Sequence, residues 1–458
     1  MATAQHSPFS ITELQAELAG RLLGPGDAGY DDSRRVFLPS VDRRPAAVVL
    51  PADAGDVARV ISFAREAGLE LAVRAGGHSN AGHGSTDGGI LLDLADLGTL
   101  EIDAEARVAR AAGGLTSGAV TEAAAPHGLA VGFGDTPSVG IGGLTLGGGA
   151  GYLVRKHGLT IDHLLGAEVV TADGRVLEVD PDNHPDLFWA IRGGGGNFGV
   201  VTRFDYQLHP VELVTGGMLV LPATPQTVAG LVAEADAAPE ELSVIANVLP
   251  APPMPFLPAD LVGSPIVLAL LVHSGALDDG ERTVARLRAL APPVADFVRT
   301  MPYSEMFRAE AQPAPPRSVV RTFFSDAFDE AAAAELLDRM RHSTAQLPAA
   351  QIRVLGGATA RVSPEATAFA HRQRRLMINV AAIYGSPEED AVHRAWVEDA
   401  VDALREGEDG AYVNFLGDEG ADRVRAAYPG ATWDRLVDVK RCYDPDNVFR
   451  LNQNINPN

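Results

Sequence analysis

Cysteine is almost absent from this chain, and lysine is nearly as rare. The single cysteine, Cys442, cannot form an intramolecular disulfide, and a zinc site built on several cysteines is excluded as well. Of the 37 basic residues, only Lys156 and Lys440 are lysine. Neither lies between a glycine and a serine or threonine, so the sequence contains no Walker A phosphate loop.

Long apolar runs, metal-binding spacings and basic charge are also missing. The longest apolar run, IVLALLV from Ile266, is far shorter than the roughly 20 residues that a membrane helix needs. The N-terminus has no basic start followed by an apolar stretch, which argues against a secretory signal. The twelve histidines form no HExxH spacing, and no G-x-S-x-G nucleophile elbow occurs. With a net charge of −23, we expect a cytoplasmic globular protein that binds neither nucleic acid nor membranes.

Hydrophobic patterning predicts an α+β protein in two parts. In the first part, short buried strands alternate with glycine loops and with helices, one of which Asp53 is predicted to cap. Beyond residue 210, longer strands alternate with alanine-rich helices such as 328–346. This change in glycine content and strand length predicts a first domain of residues 1–210 that is completed by 406–458. A substrate-binding domain, 211–405, is inserted between them.

Three glycine-rich loops follow one another in the first part. They read RAGGHSNAGHG at 74–84, PSVGIGGLTLGGGAG at 137–151 and RGGGGNFG at 192–199. Glycine lets backbone N–H groups approach phosphate closely, so three such loops indicate a large phosphate-bearing cofactor rather than turns alone. The last loop contains G-x-G-x-x-G, but a helix precedes it and a strand follows it. A Rossmann dinucleotide site requires the reverse order.

Four motifs in order resemble the berberine-bridge-enzyme-like branch of the vanillyl-alcohol-oxidase flavoprotein superfamily, and within it the 6-hydroxy-D-nicotine oxidase type. They are RAGGHSNAGHG, PSVGIGGLTLGGG, FWAIRGGGGNFGVVT and the terminal YVNFLGDEG…YDPDNVFRLNQNI. The resemblance covers about residues 40–210 and 405–458, whereas 211–405 matches only in outline. It implies a two-part PCMH-type FAD-binding domain with an inserted substrate domain built on an antiparallel sheet backed by helices.

The resemblance also implies how the cofactor is attached. In the family, the histidine at the position of His78 is bonded through a ring nitrogen to the 8α carbon of the flavin. Many relatives carry a second bond, from a cysteine at the position of Thr136. Because threonine cannot form that bond and Cys442 lies in the terminal motif, we expect covalent FAD with one histidyl bond and no cysteinyl bond. Such a tether retains the cofactor and makes it a better hydride acceptor.

Further FAD contacts are implied for the three loops and for the terminal segment. The implied residues are Arg74, Gly76, Gly77, Ser79, Asn80, Gly82, Thr136, Pro137, Val139, Gly142, Gly143, Gly147, Asn197, Gly199, Val200, Asn452 and Asn454.

Tyr412 and Asn414 match the Tyr-x-Asn element that, in the family, faces the flavin where substrate binds. We expect Tyr412 to have a depressed pKa and to take the proton of an alcohol substrate; the alternative is an ordinary core tyrosine. Four residues of the inserted segment are candidates for the substrate pocket, with surface solvation as their alternative role: Arg353, Arg361, His371 and Arg372.

The implied activity is that of an FAD-dependent oxidase that removes hydride from a C–O or C–N bond of a small organic substrate. Val139 stands where relatives gate oxygen, and its modest size predicts reoxidation by O₂ with release of hydrogen peroxide. Three alternatives stay open: oxidative cyclisation or aromatisation of a secondary metabolite, a dehydrogenase that uses another acceptor, and a flavin-binding protein without turnover.

Overall fold

The structure, a computed structural model, describes residues 11–308, 315–405, 407 and 410–458. The first ten residues, on which part of the expectation about a secretory signal depends, lie outside this range. The strands are β1 Arg21–Leu23, β2 Ala47–Leu50, β3 Leu71–Arg74, β4 Ile90–Asp93, β5 Leu100–Asp103, β6 Val108–Ala112, β7 Leu129–Ala130, β8 Leu164–Val170, β9 Val176–Val179, β10 Val200–Gln207, β11 His209–Pro210, β12 Leu213–Pro222, β13 Leu242–Pro250, β14 Pro265–His273, β15 Ala295–Asp296, β16 Arg299–Pro302, β17 Arg317–Ser325, β18 Leu347–Val354 and β19 Leu376–Tyr384.

Helices lie between these strands and follow the last one. They are α1 Ile11–Glu17, α2 Tyr30–Ser33, α3 Ala54–Ala67, α4 Ser117–Ala124, α5 Ile141–Gly147, α6 Val154–His157, α7 Pro185–Ala190, α8 Pro225–Ala237, α9 Leu277–Arg288, α10 Glu330–His342, α11 Ala358–Arg361, α12 Asp390–Leu404, α13 Ala421–Ala427 and α14 Ala431–Tyr443. No helix of the described residues is long and apolar enough to cross a membrane.

Two sheets are built from the first part of the chain. One has the order β1-β2-β4-β3, with β2, β3 and β4 parallel, and the other is antiparallel with the order β5-β6-β10-β8-β9. Helix α3 packs its apolar side against the first sheet, and Asp53 caps it as predicted by accepting a hydrogen bond from Asp56 N. The parallel strand pairs bring the loop that follows β3 beside the end of β4.

The third large sheet contains the longest strands and is antiparallel. Its order is β15-β12-β14-β13-β18-β19-β17, with β16 also paired to β12. One face packs against α8, α9, α10 and α12 in the largest apolar cluster of the described residues. The expected α+β class, with an antiparallel sheet backed by helices, is confirmed.

The sequence pattern was least informative around β18. The predicted helix 328–346 extends only over Glu330–His342, and the chain then forms β18. Side chains of β18 alternate between the helix-packed face, with Ala350 and Ile352, and the opposite face, with Gln351 and Arg353. Pro348, Ala349 and Ala350, residue types that are depleted in strands, obscured the strand.

Candidate functional site

A cavity of about 420 Å³ is lined by all three glycine loops and by the C-terminal segment. Most residues singled out from the sequence meet there. These are Arg74, Gly76, Gly77, His78, Ser79, Asn80, Thr136, Val139, Gly142, Gly143, Gly199, Val200, Tyr412, Asn414 and Asn452.

Five of the predicted FAD-contact residues do not line the cavity, and two of them serve the packing around it. A Cβ at Gly82 would press against Val41, and Pro137 packs against Gly118. Their implied FAD contacts are therefore not placed at the cavity surface.

The remaining three residues lie outside the cavity lining. A Cβ at Gly147 would overlap the Asn414 side chain, so glycine is needed there for space. Asn197 is fully buried, and its side chain donates to the carbonyls of Gly194 and Gln453 and accepts from Ile455 N, which joins the third loop to the C-terminal segment. Asn454 has a buried Oδ1 without a hydrogen-bond partner.

His78 lies in a loop whose start is firmly anchored. Arg74, the last residue of β3, pairs with Asp93 on β4 at 2.6 Å and donates to the Arg35 carbonyl at 2.7 Å. The His78 ring stacks on Phe37 with 4.2 Å between ring centroids, and its Nε2 lies 3.1 Å from Ser138 Oγ. Burial lowers the pKa of His78, so its imidazole is neutral at pH 7. A neutral ring nitrogen retains the lone pair that a bond to carbon requires.

Thr136 and Cys442 occupy very different places. Thr136 lines the cavity, and its hydroxyl donates to Asp135 at 3.2 Å. Cys442 is an exposed free cysteine near the end of α14 and is not among the lining residues of the cavity.

The cavity fits a large polar cofactor such as FAD. The backbone of the first two loops is in close contact, since a Cβ at Gly76 would overlap Gly140 N. A Cβ at Gly143 or Gly196, in contrast, would meet nothing within 4 Å, so space lies directly over these backbones. Asn452 also lines the cavity and has a buried Oδ1 with no partner, an acceptor available to a ligand donor.

Tyr412 and Asn414 form a hydrogen-bonded pair in the lining of the same cavity. The Tyr412 hydroxyl oxygen accepts from Gly149 N at 2.8 Å and from Asn414 Nδ2 at 3.0 Å, and Asn414 Nδ2 also donates to the Leu144 carbonyl. Burial raises the pKa of Tyr412, and this outweighs the two hydrogen bonds and the nearby Arg353, which lower it. The expectation of a depressed pKa was therefore wrong: the structure gives a neutral phenol at pH 7.

Sequence reasoning did not single out the ion pair beside this tyrosine. Arg353 donates to Asp135 at 2.7 Å and to the Ala150 carbonyl at 2.8 Å, and its guanidinium lies 5.2 Å from the centre of the Phe415 ring. All three partners of Arg353 lie far from it in sequence, so no local pattern links them. Ala150 itself lies in the second glycine loop.

Of the four inserted-segment candidates, only Arg353 lines the cavity. Arg361 is exposed and paired with Glu240, Arg372 is buried and paired with Asp162, and the His371 ring lies 3.1 Å from the Ala426 carbonyl.

The fold and the site together define an FAD-dependent oxidoreductase, and comparison with known proteins specifies the family. Residues 45–180 match the FAD binding domain family, and residues 411–456 match the family described as berberine and berberine like. The chain belongs to the berberine-bridge-enzyme-like FAD-linked oxidoreductases of the vanillyl-alcohol-oxidase superfamily.

Curated relatives extend the match to full length. The chain is 33% identical over 471 residues to (R)-6-hydroxynicotine oxidase of Paenarthrobacter nicotinovorans, covering 100% of this chain and 99% of that protein. An FAD-linked oxidoreductase of Dictyostelium discoideum is 30% identical over 457 residues, covering 98% and 97%.

Solved structures give the same result. The 6-hydroxy-D-nicotine oxidase of Arthrobacter nicotinovorans superposes with a TM-score of 0.86 at 28% identity, covering 98% of this chain and 100% of that one. The glucooligosaccharide oxidase of Acremonium strictum superposes with a TM-score of 0.84 at 25% identity, covering 99% and 100%.

Proposed function

We propose that this enzyme is an oxidase that removes hydride from a C–O or C–N bond of a small organic substrate and transfers the electrons to O₂, with hydrogen peroxide as the second product. The observation that carries the proposal is that one cavity is lined both by the His78 loop and by the Tyr412–Asn414 pair. When bound there, FAD supplies the hydride acceptor.

FAD is proposed to be held by a single covalent bond to His78. The neutral imidazole, stacked on Phe37 and aligned by Ser138, supports this assignment. Threonine at position 136 has no thiol for a second bond. A relative, the glucooligosaccharide oxidase, is described as carrying both a 6-S-cysteinyl and an 8α-N1-histidyl bond to FAD.

Tyr412 is proposed to orient the reacting end of the substrate. Its oxygen already accepts two hydrogen bonds, so its own proton is available for donation to a substrate oxygen or nitrogen. These two donors also stabilise negative charge on the same oxygen when the proton leaves. The residue therefore suits positioning at neutral pH and proton acceptance only when it is ionised.

The division of the chain into 1–210, 211–405 and 406–458 is retained as part of the proposal. It is supported by the family matches on either side of the middle segment and by the large sheet, whose strands all lie within residues 213–384.

A peptide map tests the single tether. Denatured wild-type protein should retain yellow flavin, and digestion should yield one flavin peptide that contains His78. His78→Ala should release FAD on denaturation, while the control Cys442→Ser should keep it, because that thiol lies outside the cavity. Free flavin from denatured wild type, or flavin on the Cys442 peptide, would contradict the assignment.

Anaerobic bleaching tests the activity. Alcohols, aldoses and cyclic amines are mixed with the enzyme under argon, and loss of the flavin absorbance identifies a substrate. Admission of air should restore the colour with one hydrogen peroxide per flavin. Bleaching without reoxidation by air would indicate a dehydrogenase, and no bleaching by any compound would argue against turnover.

A further inference from the structure

Four polar side chains form a continuous row across four neighbouring strands of the large sheet. Thr322 on β17 is the register partner of Asn379 on β19, which faces Gln351 on β18, which in turn faces Asn247 on β13. Adjacent strands lie about 4.8 Å apart, so this polar row spans about 14 Å.

The polar row lies on the face of the sheet that carries the cavity. The neighbours Ile378 and Val380 belong to the helix-packed core, so Asn379 between them points to the other face. Two residues before it, Met377 packs in one cluster with Tyr412. Gln351 lies two residues from the cavity-lining Arg353, about 7 Å along the strand.

Hydrogen bonds order most of the polar row but leave acceptors unused. Gln351 Nε2 donates to Asn247 Oδ1 at 2.9 Å, and Gln351 Oε1 accepts from Arg353 Nε at 3.0 Å and from Asn379 Nδ2 at 3.4 Å. Asn379 Oδ1 and Thr322 Oγ1, on facing register positions, are buried without any partner. An unpaired buried polar group is costly, and a hydrogen-bond donor of a ligand would remove that cost.

The polar row lies beside the cavity rather than in its lining, and its outer neighbours are small. The next positions outward on β18 and β19 are Ala349 and Ala381, and both are partly exposed. Alanine at these positions adds only a methyl group to that side of the sheet.

Charge is balanced where a substrate would lie. Among the described residues that line the cavity, the arginines and aspartate are all paired, Arg74 with Asp93 and Arg353 with Asp135. The polar row itself is uncharged. A carboxylate or ammonium group would lose its hydration there without gaining a counter-ion, which is costly. A hydroxyl or neutral amide carries no charge and needs no counter-ion.

We propose that the polar row recognises a neutral substrate that offers hydroxyl or amide N–H donors, with Asn379 and Thr322 as specificity-determining residues. The inference rests on the proposed function, since the reacting end of the substrate is placed at Tyr412 and Asn414. The non-reacting part then extends along the sheet towards Ala381.

Ligand triples that share one skeleton test the preference for a neutral group. Three skeletons are used, one aromatic, one alicyclic and one pyranose, and each is prepared with a hydroxyl, an ammonium or a carboxylate group. Each compound is titrated into oxidised holoenzyme, and binding is measured from the change in flavin absorbance. We expect the hydroxyl member to bind at least tenfold more tightly than its charged counterparts. Equal or tighter binding of a charged member, or no binding by any hydroxyl member, overturns the proposal. Because binding needs no turnover, this result is separate from failure of the bleaching test.

Two nearly isosteric variants test the residues. Asn379→Leu and Thr322→Val should each weaken binding of the best hydroxyl ligand about tenfold or more. If that ligand bleaches the flavin, its limiting rate of flavin reduction should change by less than about threefold, because the reacting end is held elsewhere. Thr300→Val, on the exposed edge strand β16, is the matched control and should bind like wild type. Unchanged binding in both variants would overturn the assignment even if the enzyme oxidises its substrate.

Discussion

Val139 determines how much space is left at one wall of the cavity. It is partly buried, packs beside the apolar cluster that contains Ile141, and lines the cavity one residue after Ser138. We expect Val139→Leu to slow reoxidation of the reduced flavin by O₂ at least tenfold, because an added methylene fills space that O₂ needs. Stopped-flow measurement of the two half-reactions checks this. Equal slowing of reduction and reoxidation would show that Val139 is ordinary packing.

Tyr412 separates alcohol from amine chemistry. An alcohol must lose its proton as hydride departs, so at a pH high enough to ionise the phenol Tyr412→Phe should slow flavin reduction by about 10²–10⁴ on an alcohol, the range for loss of a general base. A neutral amine has its lone pair free, so it should reduce the flavin of the variant at nearly the wild-type rate. An alcohol that reduces Tyr412→Phe at the wild-type rate would place the base elsewhere.

The raised pKa of Tyr412 adds a pH dependence to the same experiment. The neutral phenol predominates at pH 7, so the ionised fraction increases as the pH rises towards its raised pKa. The limiting rate of flavin reduction by an alcohol should therefore rise with pH above neutrality. In Tyr412→Phe that rise should disappear.

How far sequence predicted the site depends on whether its groups lie within one motif. His78 and Tyr412 were identifiable because their motifs are local and are followed by recognisable loops. Asp135 and Arg353 are 218 positions apart and meet only because β18 passes beside the second glycine loop. Likewise, the pKa direction of Tyr412 depends on burial by Phe369 and Phe415, which the Tyr-x-Asn motif does not encode.

Among the elements, the end of α6, the residue before β8 and the start of β11 bring three histidines into contact. The rings of His157 and His209 stack at 4.2 Å, and His209 Nε2 lies 2.9 Å from His163 Nδ1. Burial lowers the pKa of His157 to about 4 and that of His163 to about 3, and it also lowers that of His209. The folded cluster therefore resists protonation.

This cluster should make the protein less stable in mild acid. The unfolded histidines bind protons near their ordinary pKa of about 6.5, before the folded ones do, so the free energy of unfolding should fall as the pH falls from about 6.5 to 4. Each histidine contributes up to about 1.4 kcal/mol per pH unit. Urea unfolding at several pH values measures the slope. His157→Phe, which keeps the stack, should give a shallower slope, and substitution of the exposed His127 should not.

Element prediction succeeded where one face was apolar and failed where both faces were used. Helix α3 and the strands before and after it were predicted because their apolar residues recur at helical or strand spacing. In β18, the helix-packed face alternates with Gln351 and Arg353, and the strand begins with Leu-Pro-Ala-Ala. Proline and alanine are depleted in strands, so the pattern was not recognised.

For the whole molecule, the buried pair of Lys440 and Asp444 joins the two ends of the FAD-binding part. Both side chains are fully buried, and Lys440 Nζ donates to Asp444 at 2.6 Å and to the carbonyls of Asn197 and Phe449 at 2.8 and 3.0 Å. The third glycine loop is thereby fixed to the C-terminal segment.

Removal of that lysine should destabilise the protein and reduce its flavin content. Lys440→Met leaves Asp444 buried without a counter-charge, a change that costs about 3–5 kcal/mol. Thermal unfolding and the ratio of flavin to protein absorbance measure both effects. Asp438→Asn, which breaks only the exposed pair with Arg441 in the same helix, should change stability by less than about 1 kcal/mol. A Lys440→Met protein as stable as wild type would contradict the argument.

The backbone contact between Gly76 and Gly140 has a consequence for how such a sequence evolves. Elsewhere in a protein interior, a larger side chain on one element is accommodated when its neighbour becomes smaller. At this contact neither partner has a side chain to give up, since a Cβ on either residue would overlap the backbone of the other loop. A substitution at Gly76 therefore cannot be compensated by a change at Gly140, and the reverse is also true. Descendants of this sequence can vary the residues of the large sheet, but they must keep both glycines to keep the cavity.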